Sequence, residues 1–116
     1  MSSPFEELSN LDRLVHEPAR LAILTALDAC RHADFMYLQS LTGLAKGNLS
    51  QHLGKLEEAS LISLTRGFSG KVPRTVVRLT PIGRAAIRAH WQRLEQTRRA
   101  AAGWKGQSRR TVEQEG

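Results

Sequence analysis

The chain has 116 residues, 41% of them hydrophobic and 5% aromatic, which allows one small domain with a modest core and excludes a second. No apolar run nears the length that crosses a bilayer, Met1–Glu7 lacks the basic start and apolar middle of a signal peptide, and the single cysteine, Cys30, excludes an internal disulfide. The net charge of +6 is uneven: residues 1–60 hold five basic against eight acidic side chains (−3), and residues 61–116 hold twelve against three (+9).

A lone thiol fits a reducing compartment, so the cytoplasm is the expected location. A neutral-to-acidic half joined to a strongly basic half suggests one face attracted to a polyanion. Charge alone is equally compatible with a solvated basic surface, so the order of elements has to decide.

Phe5, Leu8, Leu11, Leu14 and Val15 recur at helical spacing. Pro18 suits the first turn of a new helix, where its missing N–H costs nothing, and Leu21, Ile23, Leu24 and Leu27 give that helix a dense apolar face. The pattern fades at Arg31–Ala33, and Asp34 is the expected N-cap of a short helix from about Phe35 to Leu41 that Thr42-Gly43 ends. A longer helix is expected from about Lys46 to Ala59. Leu49, Leu53 and Leu56 fall on its inner side, and Gly47, Asn48, Gln51, Gly54, Lys55 and Glu58 on its outer side. Gly54 inside a helix costs about 1 kcal/mol relative to alanine, so a close neighbour such as DNA is sought for it.

Leu61–Arg66 and Arg74–Leu79 read as strands, joined by Gly67–Pro73. Thr80-Pro81 is a cap followed by a first-turn proline, opening a helix to about Arg99 along which Ile87, Trp91 and Leu94 form a stripe. Residues 5–99 therefore make one domain, and residues 100–116, rich in Gly, Gln, Ser and charge, a basic tail expected to be disordered.

Helix, tight turn, helix, hairpin, helix is a mainly α architecture with a small β-hairpin wing, a winged helix-turn-helix with N- and C-terminal dimerisation helices. Four segments carry a resemblance to the winged helix-turn-helix regulators of the MarR/ArsR superfamily, in its compact one-domain group. His16-Glu-Pro-Ala-Arg-Leu-Ala-Ile-Leu is similar to the opening of the core helix, and Leu38-Gln-Ser-Leu-Thr-Gly-Leu to the first helix of the motif and its turn. Lys46-Gly-Asn-Leu-Ser-Gln-His-Leu-Gly-Lys-Leu-Glu resembles the recognition helix, and Leu61-Ile through Arg78-Leu-Thr-Pro-Ile-Gly-Arg the wing and the start of the last helix. The chain departs from the family at Ser60, where glycine usually ends the recognition helix, and in its Ala/Arg-rich C-terminus with Trp104.

On that layout, the amides of Asn48 and Gln51 can pair with adenine and Lys46 and Lys55 can meet guanine or phosphate, while Ser50 and His52 flank the face and suit phosphates. Lys71 and Arg74, with Arg66, would reach the minor groove or flanking backbone. Phe5, Leu8, Leu11, Ile87, Trp91 and Leu94 lie on terminal helices that one small core can hardly cover, which suggests a two-fold dimer. The expectation is a sequence-specific, DNA-binding transcriptional regulator acting as a homodimer on pseudo-palindromic double-stranded DNA.

The rival readings are a winged helix used as a protein-interaction module, and a metal- or ligand-responsive ArsR-like regulator. A small-molecule effector would have to use the dimer interface or the cleft between the terminal helices and the recognition unit. One cysteine near His32, and a His90 without an acidic residue two before it, do not assemble a zinc site, so no metal or other cofactor is expected and Cys30 reads as a buried or half-buried thiol. Without a phosphate loop, nucleophile elbow or paired-acid motif, the chain does not read as an enzyme.

Overall fold

The computed structural model describes the backbone of residues 11–115 and the side chains of residues 11–103. Helix α1 covers residues 11–16 and breaks at Glu17. The order is then α2 (Pro18–Cys30), β1 (His32–Asp34), α3 (Phe35–Thr42), α4 (Lys46–Glu58), β2 (Ile62–Ser69), β3 (Val72–Leu79) and α5 (Pro81–Glu115). This is a mainly helical winged helix with a three-stranded antiparallel sheet in the order β1-β3-β2.

Pro18 is at the start of α2 as its fixed φ demands, and the Glu17 carboxylate accepts the Arg20 N–H at 2.9 Å. Gly43 turns α3 into α4 at φ +68°, with its N–H on the Gln39 carbonyl at 2.9 Å. The end of α4 is a Schellman motif. Ser60 N–H reaches Glu57 O at 2.9 Å and Leu61 N–H reaches Leu56 O at 3.0 Å, with Ser60 at φ +62° where glycine is the usual occupant. Thr80 stitches this corner to α5. Its hydroxyl donates to Ser60 O at 2.6 Å and accepts from Gly83 N–H at 2.9 Å, so it caps α5 while holding the carbonyl of the left-handed residue.

Leu24, Leu27, Leu38, Leu49, Leu56 and Ile87 are fully buried at the centre of the core. Ile87 is thus a core residue, and its place in a free dimerisation stripe is corrected: α5 packs that turn against α2. Phe5 and Leu8 lie outside the described residues.

Three further differences from the sequence reading have local causes. The hairpin strands pair in unbroken register from Ile62↔Leu79 to Ser69↔Val72, so the link shrinks from the expected Gly67–Pro73 to Gly70-Lys71, with Gly70 at φ +64°. β1 is a strand the sequence reading lacked: Ala33, opposite Val77, is buried, and three residues are too few to show a period. The last helix does not end at about Arg99 as the sequence reading had it but spans Pro81–Glu115. Ala100–Ala102 favour helix more than composition suggested, and Glu95 pairs with Arg98 and Arg99 one turn on.

A Cβ at Gly83 would lie 2.0 Å from the Leu61 carbonyl oxygen and 2.8 Å from Leu79 Cδ1, so only glycine lets α5 approach β2 this closely. Gly83→Ala should therefore lower stability by about 1–3 kcal/mol, whereas Ser60→Gly should raise it by up to about 1 kcal/mol by relieving the left-handed serine. Urea denaturation of the two variants checks both signs.

Candidate nucleic-acid interface

The inner side of α4 is fixed by Leu49, Leu53 and Leu56, all buried. With that stripe seated, Lys46, Gly47, Asn48, Ser50, Gln51 and Lys55 are exposed on the other side, as the spacing predicts. Ala45 gives no side-chain cap and the first turn holds no acid, so the positive end of the helix is left open beside Lys46.

His52 does not join this face. It is half-buried, with Nδ1 3.5 Å from a Glu17 carboxylate oxygen: one step past Gln51, the position turns toward the α1–α2 break. Burial pushes the Glu17 carboxyl up, but the backbone N–H groups of Arg20 and Ala19 and the charges of His52 and Arg20 outweigh it and hold it below the usual carboxylate range.

The wing stands across from α4. Arg66 and Lys71 are exposed, while Arg74 is engaged within the fold, its guanidinium lying 2.7 Å and 2.8 Å from one oxygen of Asp34. Asp34 occupies the N-cap position of α3 without capping it by its side chain, because the carboxylate is turned to Arg74 instead. This links α3 to the hairpin, a contact that Asp34's role as a cap in the sequence reading did not reveal.

Between α3, α4 and the wing lies a cleft of about 800 Å³. Its apolar floor includes Phe35, Leu53 and Leu64, and Lys46, Ser50, Arg66 and Arg74 line it from both sides. The structure thus brings four of the sequence-selected residues to one groove, while Asn48, Gln51 and Lys55 lie on the open helix face beyond it. Gln39 and Met36 of α3 also line the cleft and were missed; an amide on the outer side of α3 was the available signal. Gly54 opens into the cleft as well, and a Cβ there would meet nothing within 4 Å, so no packing inside the chain requires it.

On the far side, α1 meets α5. Leu11 packs on the edge of the core, while Trp91 and Leu94 are 44% and 38% exposed even though the Trp91 indole N–H donates to Thr25 Oγ1 at 3.1 Å. Arg93 pairs with Asp12, and a 300 Å³ depression runs along this seam, lined by His16, His90, Leu94 and Thr97 among others. His90 is buried, with its ring centroid 5.5 Å from that of His16. Burial first, then the charges of His16 and Arg93, push its pKa below 6.5 against the opposing pull of Asp12.

Cys30 is exposed, correcting the buried or half-buried thiol. It sits in the last turn of α2, past the core-facing Leu27, and its Sγ–H donates back to the Ala26 carbonyl at 3.0 Å. Among the described residues, no three His, Cys, Asp or Glu side chains are grouped to hold a metal ion, and no helix is long and apolar enough to cross a membrane.

Residues 19–97 match the family model described as "Winged helix DNA-binding domain". An uncharacterized protein of Methanocaldococcus jannaschii is 31% identical over 77 residues, covering 66% of this chain and 83% of its own length. The structure of a transcriptional regulator homologue from Pyrococcus horikoshii OT3 superposes with a TM-score of 0.73 at 28% identity, covering 83% of this chain and 97% of that one. A MarR-family protein from Porphyromonas gingivalis W83 shares the fold with a TM-score of 0.65 at 18% identity, over 82% and 92% of the two chains. The chain belongs to the winged-helix DNA-binding family.

Because folded His90 binds its proton less readily than the unfolded chain does, stability should be full above about pH 6.5 and fall as the pH drops below that value. His90→Phe should flatten this part of the profile. Melting temperatures between pH 5 and 8 measure it, and an equally steep loss in the variant would assign the effect to another group.

Proposed function

We propose that the protein regulates transcription as a homodimer that binds pseudo-palindromic duplex DNA, each subunit setting α4 in a major groove with its wing against the adjacent backbone or minor groove. The observation that carries this reading is the placement of Lys46 and Ser50 of α4 and Arg66 and Arg74 of the hairpin around one cleft, with Asn48, Gln51 and Lys55 exposed on the helix face beside it. Asn48 and Gln51 serve base edges; Lys46, Ser50, Lys55, Arg66 and Lys71 serve bases or phosphates; and Arg74 serves chiefly to hold the wing to Asp34. Trp91 and Leu94, together with Leu11, Phe5 and Leu8, supply the dimer contact, and two-fold symmetry sets half-sites about 10 bp apart or a multiple of that. Acting on DNA places the protein in the cytoplasm.

Selection of bound fragments from a genomic pool, followed by titration at two salt concentrations, tests the reading. Lys55→Glu and Arg66→Glu should each weaken binding at least tenfold and lower the salt slope by about one per lost phosphate contact. Unchanged retention by both variants would instead favour the protein-interaction module. Gly54→Ala should stabilise the free protein by up to about 1 kcal/mol while weakening DNA binding, because the space its methyl takes is open only until the duplex arrives. Trp91→Ala should shift sedimentation toward the monomer, and an unaltered dimer would place the contact on another surface.

A further inference from the structure

Glu17 is an unexpected residue for its place. It interrupts the helix between α1 and α2 at φ −62°, ψ 131°, and its Oε2 accepts the Arg20 N–H at 2.9 Å, which makes it the N-cap of α2. Aspartate, asparagine, serine and threonine are the residues suited to that work, because their short side chains fold back on the helix start without loss of freedom. The extra methylene of glutamate is not needed for capping. Here it carries the same oxygen to 3.5 Å from His52 Nδ1, midway along α4, and to 3.8 Å from Arg20 Nε.

Both nitrogens are buried atoms with no hydrogen-bond partner, so the Glu17 carboxylate is the group that offsets their desolvation. His52 follows Gln51, at the boundary between the leucine side of α4 and its exposed side. A tie at that boundary resists rotation of the helix about its own axis, which leucine packing alone restrains weakly. With side-chain tips about 6 Å from the axis, a roll of 20° moves them by about 2 Å, enough to break a hydrogen bond to a base edge.

We infer that Glu17 and His52 are positioning residues, a carboxylate–imidazole tie that sets the roll of the recognition helix and links it to the α1–α2 joint. This rests on the DNA reading above for its consequence, though not for its geometry. Because α1 is a helix assigned to the dimer contact, a change in the α1–α2 angle is passed to Asn48 and Gln51 through one side chain. Neither residue touches DNA.

Glu17→Asp separates the two roles of the carboxylate, since aspartate caps at least as well, keeps the charge and falls short of His52. The variant should melt within a few degrees of the parent, bind the selected duplex about tenfold more weakly, keep the same salt slope, and discriminate less between matched and mismatched sites. Independently of DNA, the 13C resonance of the Glu17 carboxyl should titrate at higher pH in His52→Ala than in the parent, and the backbone amides of Asn48 and Gln51 should shift in Glu17→Asp. Wild-type affinity and discrimination in Glu17→Asp, or unmoved Glu17 titration in His52→Ala, would reduce Glu17 to a cap and overturn the tie. A parent protein that binds no duplex would overturn the DNA reading, leaving the two spectroscopic results to decide the tie.

Discussion

The seating of Leu49, Leu53 and Leu56 against α2 and the sheet is the contact on which the rest of the molecule turns. Because these three occupy one side of α4, the other side has to face outward whatever it carries, and it carries small, amide and lysine side chains. The surrounding elements refine this placement at three points. Gly43 sets the entry of the helix, the Ser60–Thr80–Gly83 corner fixes its exit, and Glu17 reaches its middle. Function then follows from an orientation that the core has already imposed.

The basic half of the chain is less free than its formal charge suggests. Arg74 is spent on Asp34, Arg84 and Arg88 face Asp28, Arg93 holds Asp12, and Arg98 and Arg99 share Glu95. Among the described residues, Lys46, Lys55, Arg66 and Lys71 on α4 and the outer wing are exposed and enter none of these ion pairs, and the same holds for Arg13, Arg31 and Arg78 elsewhere. These ion pairs are mostly exposed and individually weak, so their part is to hold elements in register more than to stabilise the fold.

Much of this was legible in the residues themselves. The leucine spacing on α4, the glycine turn at Gly43 and the Thr80-Pro81 start are local signals, set by backbone sterics and a 3.6-residue period, and the structure repeats them. What escaped were facts that depend on partners distant in sequence. His52 looks like any flanking polar residue until Glu17 is seen 35 positions earlier, and Arg74 looks free until Asp34 lies beside it. Ile87, Trp91 and Leu94 share a period, yet only the first is fully buried, because a stripe does not say where its partner ends. β1 was invisible because its three residues are made a strand by β3 and by nothing of their own.

The same β1 has a mechanical consequence. It pairs with β3 at Val76, Val77 and Arg78 alone, so the sheet is three strands thick at its root and a bare ribbon from Thr75 outward. A two-stranded ribbon twists more readily than a wider sheet. The hairpin therefore behaves as a cantilever: clamped where it meets the core and compliant at its free end.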